Sequence, residues 1–172
     1  LFDILDECGV RALRNEYVLL VKDEETGTVR EIEGQDAETP QEADEAGKGA
    51  YAIVLAGVDD PNGRADQKTP EELMEELRAA EGDKYVVLLA HRNNMLSRWA
   101  ELGIDVVLCG HAHGGVVRLP FTDGLIGPRR ELFPKYTSGI YEEGETSMLV
   151  SRGIGKIEHV PRLFNNPEIP VL

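Results

Sequence analysis

IDVVLCGHAHGG, residues 104–115, is the stretch that decides the fold. Its first half is apolar except for Asp105, which is typical of a strand covered on both faces of a sheet. Its second half places His111 and His113 among three glycines, directly after that strand. Ligand sites in α/β sheets collect at the carboxyl ends of strands, and imidazole is the commonest metal ligand. The stretch therefore predicts a metal-binding loop that follows a buried strand.

A second stretch of the same kind lies upstream. Residues 85–90 form another apolar run, and His91 follows it directly. A short helix, predicted over residues 95–102 and closed by Gly103, separates the two strands. Neighbouring parallel strands joined by a helix end at the same edge of a sheet. We therefore expect His91 to lie near His111 and His113.

The rest of the chain alternates between helix and strand patterns. Residues 1–8 predict a helix closed by Gly9, and Thr69-Pro70-Glu71-Glu72 is a typical helix start, with a capping hydroxyl, proline in the first turn and early acids. Further strands are predicted over residues 10–13, 17–22, 29–33, 50–56, 116–121, 136–141, 147–151 and 168–172. Strand-helix-strand-helix-strand in the middle, flanked by hairpins, predicts a layered α/β domain with mixed sheets.

Composition excludes several classes of protein. The chain has 172 residues with 41% hydrophobic and 29% charged side chains, which suits one soluble globular domain. Its 32 acidic residues outnumber 18 basic ones, and a net charge of -14 argues against nucleic-acid binding. Two cysteines cannot define a disulfide framework, and the apolar runs are too short to span a membrane. The acidic segment over residues 34–48 is interpreted as a solvated loop.

The histidines alone leave two kinds of metal site open. His91, His111 and His113 could hold a single zinc ion with an open water position. They could instead form part of a two-metal site, which needs anionic ligands to offset the repulsion between the ions. Asp59 and Asp60 are candidates for those ligands, although their Asp-Asp-Pro-Asn-Gly context equally favours a simple turn.

The motifs in this order resemble a known family. The stretches that carry the resemblance are VDDP (58–61), LLAHR (88–92), GIDVVLCGHAHGG (103–115), VRLPF (117–121), LFPKYTSG (132–139) and VSRGIG (150–155). They are similar to the C-terminal metal motifs of calcineurin-like metallophosphoesterases, in the bacterial branch of YkuE- and YaeI-type phosphodiesterases. Asn93-Asn94 departs from the proline-acid pair expected after His91-Arg92, which affects the shape of that loop more than metal binding.

The resemblance implies both a fold and an activity. It implies a four-layer α/β/β/α sandwich and a site with two divalent ions, which in the family are manganese, iron, zinc or nickel. His91 and His111 would bind one ion, and His113 would bind the other. The reaction would be hydrolysis of a phosphomonoester or phosphodiester by a metal-activated water. Arg118 is a candidate substrate contact, with a structural role equally open.

The resemblance also implies that residues 1–172 are the C-terminal part of a single metallophosphoesterase domain. It places the other ligands, and the acid/base histidine, in Asp-x-His, Gly-Asp and Gly-Asn-His motifs upstream of Leu1. We therefore expect an incomplete site that is inactive alone; the alternatives are a non-catalytic metal-binding fragment and a mononuclear zinc hydrolase. The expected partners are the missing N-terminal half and a small phosphoester, lipid-linked or nucleotide-linked molecules included, with no nucleic acid. Location and oligomeric state stay open.

Overall fold

Helices and strands follow the predicted order through most of the chain. The computed structural model describes residues 2–23, 25–33, 51–63, 67–119, 123–127, 130–155 and 162–171. The chain divides into two compact units, Leu1–Leu89 and Ala90–Leu172. The acidic segment over residues 34–48 and His159 lie outside the described residues.

The first unit is built on four strands. They are β1 (Glu16–Lys22), β2 (Val29–Glu33), β3 (Tyr51–Gly57) and β4 (Val86–Leu89), in the order β2-β1-β3-β4. β1 is antiparallel to both β2 and β3, whereas β3 and β4 are parallel. Their inward side chains, Val18, Val54 and Val86 among them, are fully buried. Mixed pairing of this kind agrees with the predicted sheet type.

Two helices accompany these strands, α1 (Phe2–Glu7) and α2 (Pro70–Glu81). α2 begins as its sequence predicts. The Thr69 hydroxyl accepts a hydrogen bond from the backbone N–H of Glu72, and the Glu72 carboxylate accepts one from the backbone N–H of Thr69. This capping box satisfies two backbone donors that a helix end would otherwise leave without partners. The buried face of the helix consists of Leu73, Met74, Leu77 and Glu81.

The second unit contains helix α3 (Leu96–Glu101) and the strands β5 (Val106–Cys109), β6 (Val117–Arg118), β7 (Gly124–Ile126), β8 (Gly139–Glu143) and β9 (Thr146–Val150). β5 is parallel to β9, and β9 is antiparallel to β8. β6 and β7 form a separate antiparallel pair. Trp99 of α3, Val107 of β5 and Met148 of β9 are buried, so helix and strands contribute to one apolar core.

Both units confirm the prediction of an α/β fold with mixed sheets, while the four-layer sandwich stays a prediction. Two predicted strands are wrong. Residues 10–13 form no strand, because the backbone N–H of Val10 bonds back to the Leu5 carbonyl at the end of α1. Residues 168–171 form none either, and Glu168 instead pairs with Arg152 at 2.6 Å. The prediction missed β7, in a segment interpreted as a loop.

Membrane insertion finds no support among the helices. Within the residues that the structure describes, none of the helices is both long enough and apolar enough to cross a bilayer.

The two cysteines should differ sharply in reactivity. Cys8 is exposed, whereas Cys109 is buried and its burial raises the pKa of the thiol to about 12. Because the thiolate is the reactive form, Ellman's reagent at pH 8 should label Cys8 quickly and Cys109 only after unfolding in urea. A Cys8→Ser variant supplies the control, since its native form should show almost no reaction. Rapid labelling of the native Cys8→Ser variant would contradict the buried position of β5.

Candidate metal site

The segments that follow β4 and β5 are held side by side by backbone hydrogen bonds. The N–H of Ala90 donates to the carbonyl of Leu108 at 3.0 Å, and the N–H of Gly110 donates to the carbonyl of His91 at 3.3 Å. The two histidine-bearing segments therefore run side by side within the second unit. This arrangement confirms the expectation that His91 lies beside His111.

The rings of His91 and His111 meet at this edge. Nε2 of His91 lies 2.9 Å from Nδ1 of His111, and the ring centroids are 4.7 Å apart at an interplanar angle of 67°. Two imidazole nitrogens on one zinc ion, each about 2.0–2.1 Å from it, lie roughly 2.8–3.4 Å apart for bond angles between 90° and tetrahedral. The observed separation of 2.9 Å falls within that range, so the spacing of the pair is compatible with a shared ion.

The loop that carries His111 and His113 has an unusual backbone. His111 and His113 adopt φ values of 66° and 49°, and Gly114, Gly115 and Val116 continue at 70°, 76° and 42°. Left-handed backbone is disfavoured for residues other than glycine, most of all for a β-branched residue such as Val116. Strain of this kind persists only where surrounding contacts impose it.

Side chains from distant parts of the sequence impose this conformation. The buried Asn165 amide donates to the carbonyls of His113 at 2.6 Å and Val116 at 3.2 Å. The Arg118 guanidinium donates to the carbonyl of Gly114 and to the hydroxyl of Ser138, each at 3.0 Å. These contacts favour a structural role for Arg118, and its suggested contact with substrate stays a prediction.

His113 has a cationic neighbour that the sequence did not suggest. A terminal nitrogen of Arg162 lies 3.2 Å from Nδ1 of His113, and it also donates to the carbonyls of Arg152 and Gly155. Because a guanidinium has only donors, Nδ1 must accept. The pKa of His113 is lowered by burial and next by the charge of Arg162, while a hydrogen bond with the Gly155 backbone raises it. His113 is therefore neutral at pH 7.

The three histidines do not converge on one point. The charge of His91 interacts with His113 and makes a small contribution to the lowered pKa of His113. However, within the described ranges there is no group of three or more His, Cys, Asp or Glu side chains that could hold one ion. A pair plus a separate third histidine is the pattern expected if the ligands are divided between two ions, and it gives no support to a three-histidine zinc site.

Asp59 and Asp60 belong to a turn in the first unit. The Asp59 carboxylate pairs with Arg14 at 2.9 Å, and its backbone N–H donates to the Asn15 side chain at 3.0 Å. The Asp60 carboxylate accepts from the backbone N–H of Asn62 at 2.8 Å. These are the local contacts of a polar turn, which confirms the turn interpretation of these residues.

The loop backbone should tolerate no side chain at Gly115. A Cβ there would lie 2.4 Å from the Gly124 Cα, whereas a Cβ at Gly144 in the β8–β9 turn meets nothing within 4 Å. Both glycines have positive φ. Gly144→Ala should therefore cost only the backbone strain, about 1 kcal/mol, and Gly115→Ala about 1–3 kcal/mol more for overpacking. Urea unfolding measures both, and equal losses would mean that the loop packs differently.

Replacing Arg162 should raise the pKa of His113. Arg162→Gln removes the second cause of the lowered pKa but leaves burial, so the pKa should rise yet stay below 6.5. Arg162→Lys keeps the charge and should give a smaller rise. Histidine ring shifts in an NMR pH titration report both changes. A pKa that does not move in Arg162→Gln would show that the guanidinium lies away from His113 in solution.

Comparison with curated proteins identifies relatives among bacterial phosphoesterases. An uncharacterized metallophosphoesterase of Aquifex aeolicus is 35% identical over 130 residues, which cover 70% of this chain and 44% of that protein. The uncharacterized metallophosphoesterase YkuE of Bacillus subtilis is 33% identical over 87 residues, 51% of this chain and 30% of YkuE. The phosphodiesterase YaeI of Escherichia coli is 30% identical over 94 residues, 55% of this chain and 34% of YaeI.

These alignments each span less than half of the relative. No family model and no solved structure matches the chain. The alignments with YkuE and YaeI nevertheless agree with the resemblance drawn from the histidine motifs. Over part of their length, the bacterial metallophosphoesterases, YkuE and YaeI among them, are thus distant relatives of this chain.

Proposed function

We propose that the chain supplies part of the dinuclear metal site of a phosphoesterase, which hydrolyses phosphomonoesters or phosphodiesters. His91 and His111 would bind one ion, and His113 would bind the other. The observation that carries the proposal is the 2.9 Å approach of the ring nitrogens of His91 and His111. The relatives named metallophosphoesterase and phosphodiesterase support the class of reaction.

The donor set fits one ion at the His91–His111 pair. The two nitrogens face each other, and ligation would require each to be unprotonated. In the absence of an ion, one of them must carry the proton of the hydrogen bond that joins them. Ligation would therefore require that proton to shift to the other nitrogen of its ring, and it would exchange one hydrogen bond for two metal–nitrogen bonds.

His113 fits a second ion by its protonation state. Its lowered pKa leaves the ring neutral at pH 7, as a metal ligand requires. Its Nδ1 accepts a hydrogen bond from Arg162. Ligation through Nδ1 would displace the guanidinium, and ligation through Nε2 would displace the contact with the Gly155 backbone. Whichever nitrogen binds the ion, His113 must first lose one of its present contacts.

The two divalent ions, when bound, would activate a water molecule and offset the charge of the phosphoryl group. Within the described residues the chain itself contributes imidazoles and no cluster of three or more possible metal ligands at this site. Two adjacent cations require anionic ligands, so we propose that an upstream part of the domain supplies these together with the acid/base histidine. The chain alone would then bind metal without efficient hydrolysis, and its sheets would complete a four-layer sandwich.

A zinc titration of single and double variants tests how the histidines are divided. Loss of His91 or His111 should weaken binding of the first zinc ion by at least about tenfold to a hundredfold. That is the usual loss of affinity when a residue that only hydrogen-bonds to a metal ligand is replaced, so loss of a ligand itself should cost at least as much. The double variant His91→Ala/His111→Ala should lose little more than either single variant, because each change already breaks the pair. His113→Ala should leave this event almost unchanged. Isothermal titration calorimetry gives the affinities.

The titration also separates the alternatives. A mononuclear zinc site would make all three substitutions equally damaging and mutually coupled. A chain that binds no zinc above the level of the His91→Ala/His111→Ala variant would overturn the proposed metal pair.

A further inference from the structure

A cavity of about 490 Å³ opens beside the histidine pair, entirely within the second unit. His111 forms part of its wall, together with the segment after His91, the start of α3, and residues 134–136. Small-molecule sites typically have volumes of about 300–1,000 Å³. The cavity is therefore large enough for more than a single phosphate group, and it borders a ring that we assign to metal binding.

The lining of this cavity is mainly basic, whereas the chain as a whole is acidic. Arg92, Arg98 and Lys135 line it against one carboxylate, that of Glu131. The whole chain has 18 basic and 32 acidic residues. Cations are therefore concentrated here in a protein whose surface otherwise repels anions. A concave site lined mainly by one sign of charge focuses the field and attracts ligands of the opposite sign. We call this cavity, with its three cations, the basic pocket.

Hydrogen bonding, burial and contacts with aromatic rings hold the walls of the basic pocket in place. The Asn93 amide donates to the Tyr136 carbonyl, which ties the segment after His91 to the opposite wall. Arg92 is only 9% exposed, and the Arg98 guanidinium lies 6.0 Å from the ring centre of the buried Trp99. The Lys135 ammonium lies 4.7 Å from the ring centre of Tyr136. Cations placed in advance lose little conformational freedom when an anion binds.

We propose that the basic pocket binds a second anionic group of the phosphoester, so that the substrate carries a further phosphate or carboxylate close to the ester. The position beside His111 places that group next to the scissile phosphoryl group of the proposed reaction, and to that extent the inference rests on the proposed function. The anion selectivity of the pocket belongs to Arg92, Arg98 and Lys135, and it can be measured without metal.

Inorganic pyrophosphate is the probe, titrated into the 172-residue chain in EDTA and followed by amide shifts in NMR spectra. The shifts should concentrate at residues 92–98 and 134–136. Lys135→Gln should weaken binding about tenfold to a hundredfold, as expected for loss of one charged hydrogen bond. Lys22→Gln is the matched control, because it changes the net charge equally from an exposed position on β1 in the other unit. That control should leave the affinity unchanged.

Three outcomes would overturn the proposal: no saturable binding, binding that Lys135→Gln leaves unchanged, or an equal loss in Lys22→Gln. A fourth measurement separates it from the proposed function. His91→Ala removes a proposed metal ligand but no cation and no residue of the pocket wall, so pyrophosphate should still bind this variant in EDTA. If zinc strengthens pyrophosphate binding to the parent chain but not to His91→Ala, both proposals are supported. If the zinc effect is absent from both while binding in EDTA persists, the pocket stands and the metal pair fails.

Discussion

Two backbone hydrogen bonds, from Ala90 to Leu108 and from Gly110 to His91, are the constraint on which the candidate site depends. They set the register of the two segments that carry His91 and His111. Side chains alternate along an extended segment, so a slip of one residue would turn the His91 ring to the opposite face. The 2.9 Å approach of His91 and His111 exists only in the observed register. The approach of His91 to His111 is thus a product of the backbone pairing between these two segments.

The sequence predicted the parts of the fold that local patterns control. Continuous apolar runs marked β4 and β5 because strands covered on both faces need no polar residues. Thr69 and Pro70 marked the start of α2 because capping involves residues only three positions apart. The proximity of His91 to His111 was predictable as well, since a short helix between two parallel strands leaves few alternative topologies.

The parts that failed depend on contacts between residues far apart in the chain. Residues 168–171 have strand-like composition, yet the ion pair between Glu168 and Arg152 takes the place of a strand partner. Asn165 contacts the loop at His113 from 52 positions away, and Arg162 contacts the same residue from 49 positions away. A polar residue in a tail gives no local signal of such a role. The left-handed φ values of His111 and His113 were hidden for the same reason, because the contacts that impose them are not encoded nearby.

The dependence of the loop on Asn165 has a consequence for protein engineering. The six residues from Gly110 to Gly115 contain both histidines of the motif, and it is tempting to regard them as a portable metal-binding cassette. Their backbone is disfavoured in isolation, since Val116 and both histidines have positive φ. The amide of Asn165 holds the carbonyls of His113 and Val116, in the middle and at the end of the strained segment. A graft of the motif into another scaffold would therefore relax to an ordinary turn unless the anchoring amide were transplanted with it.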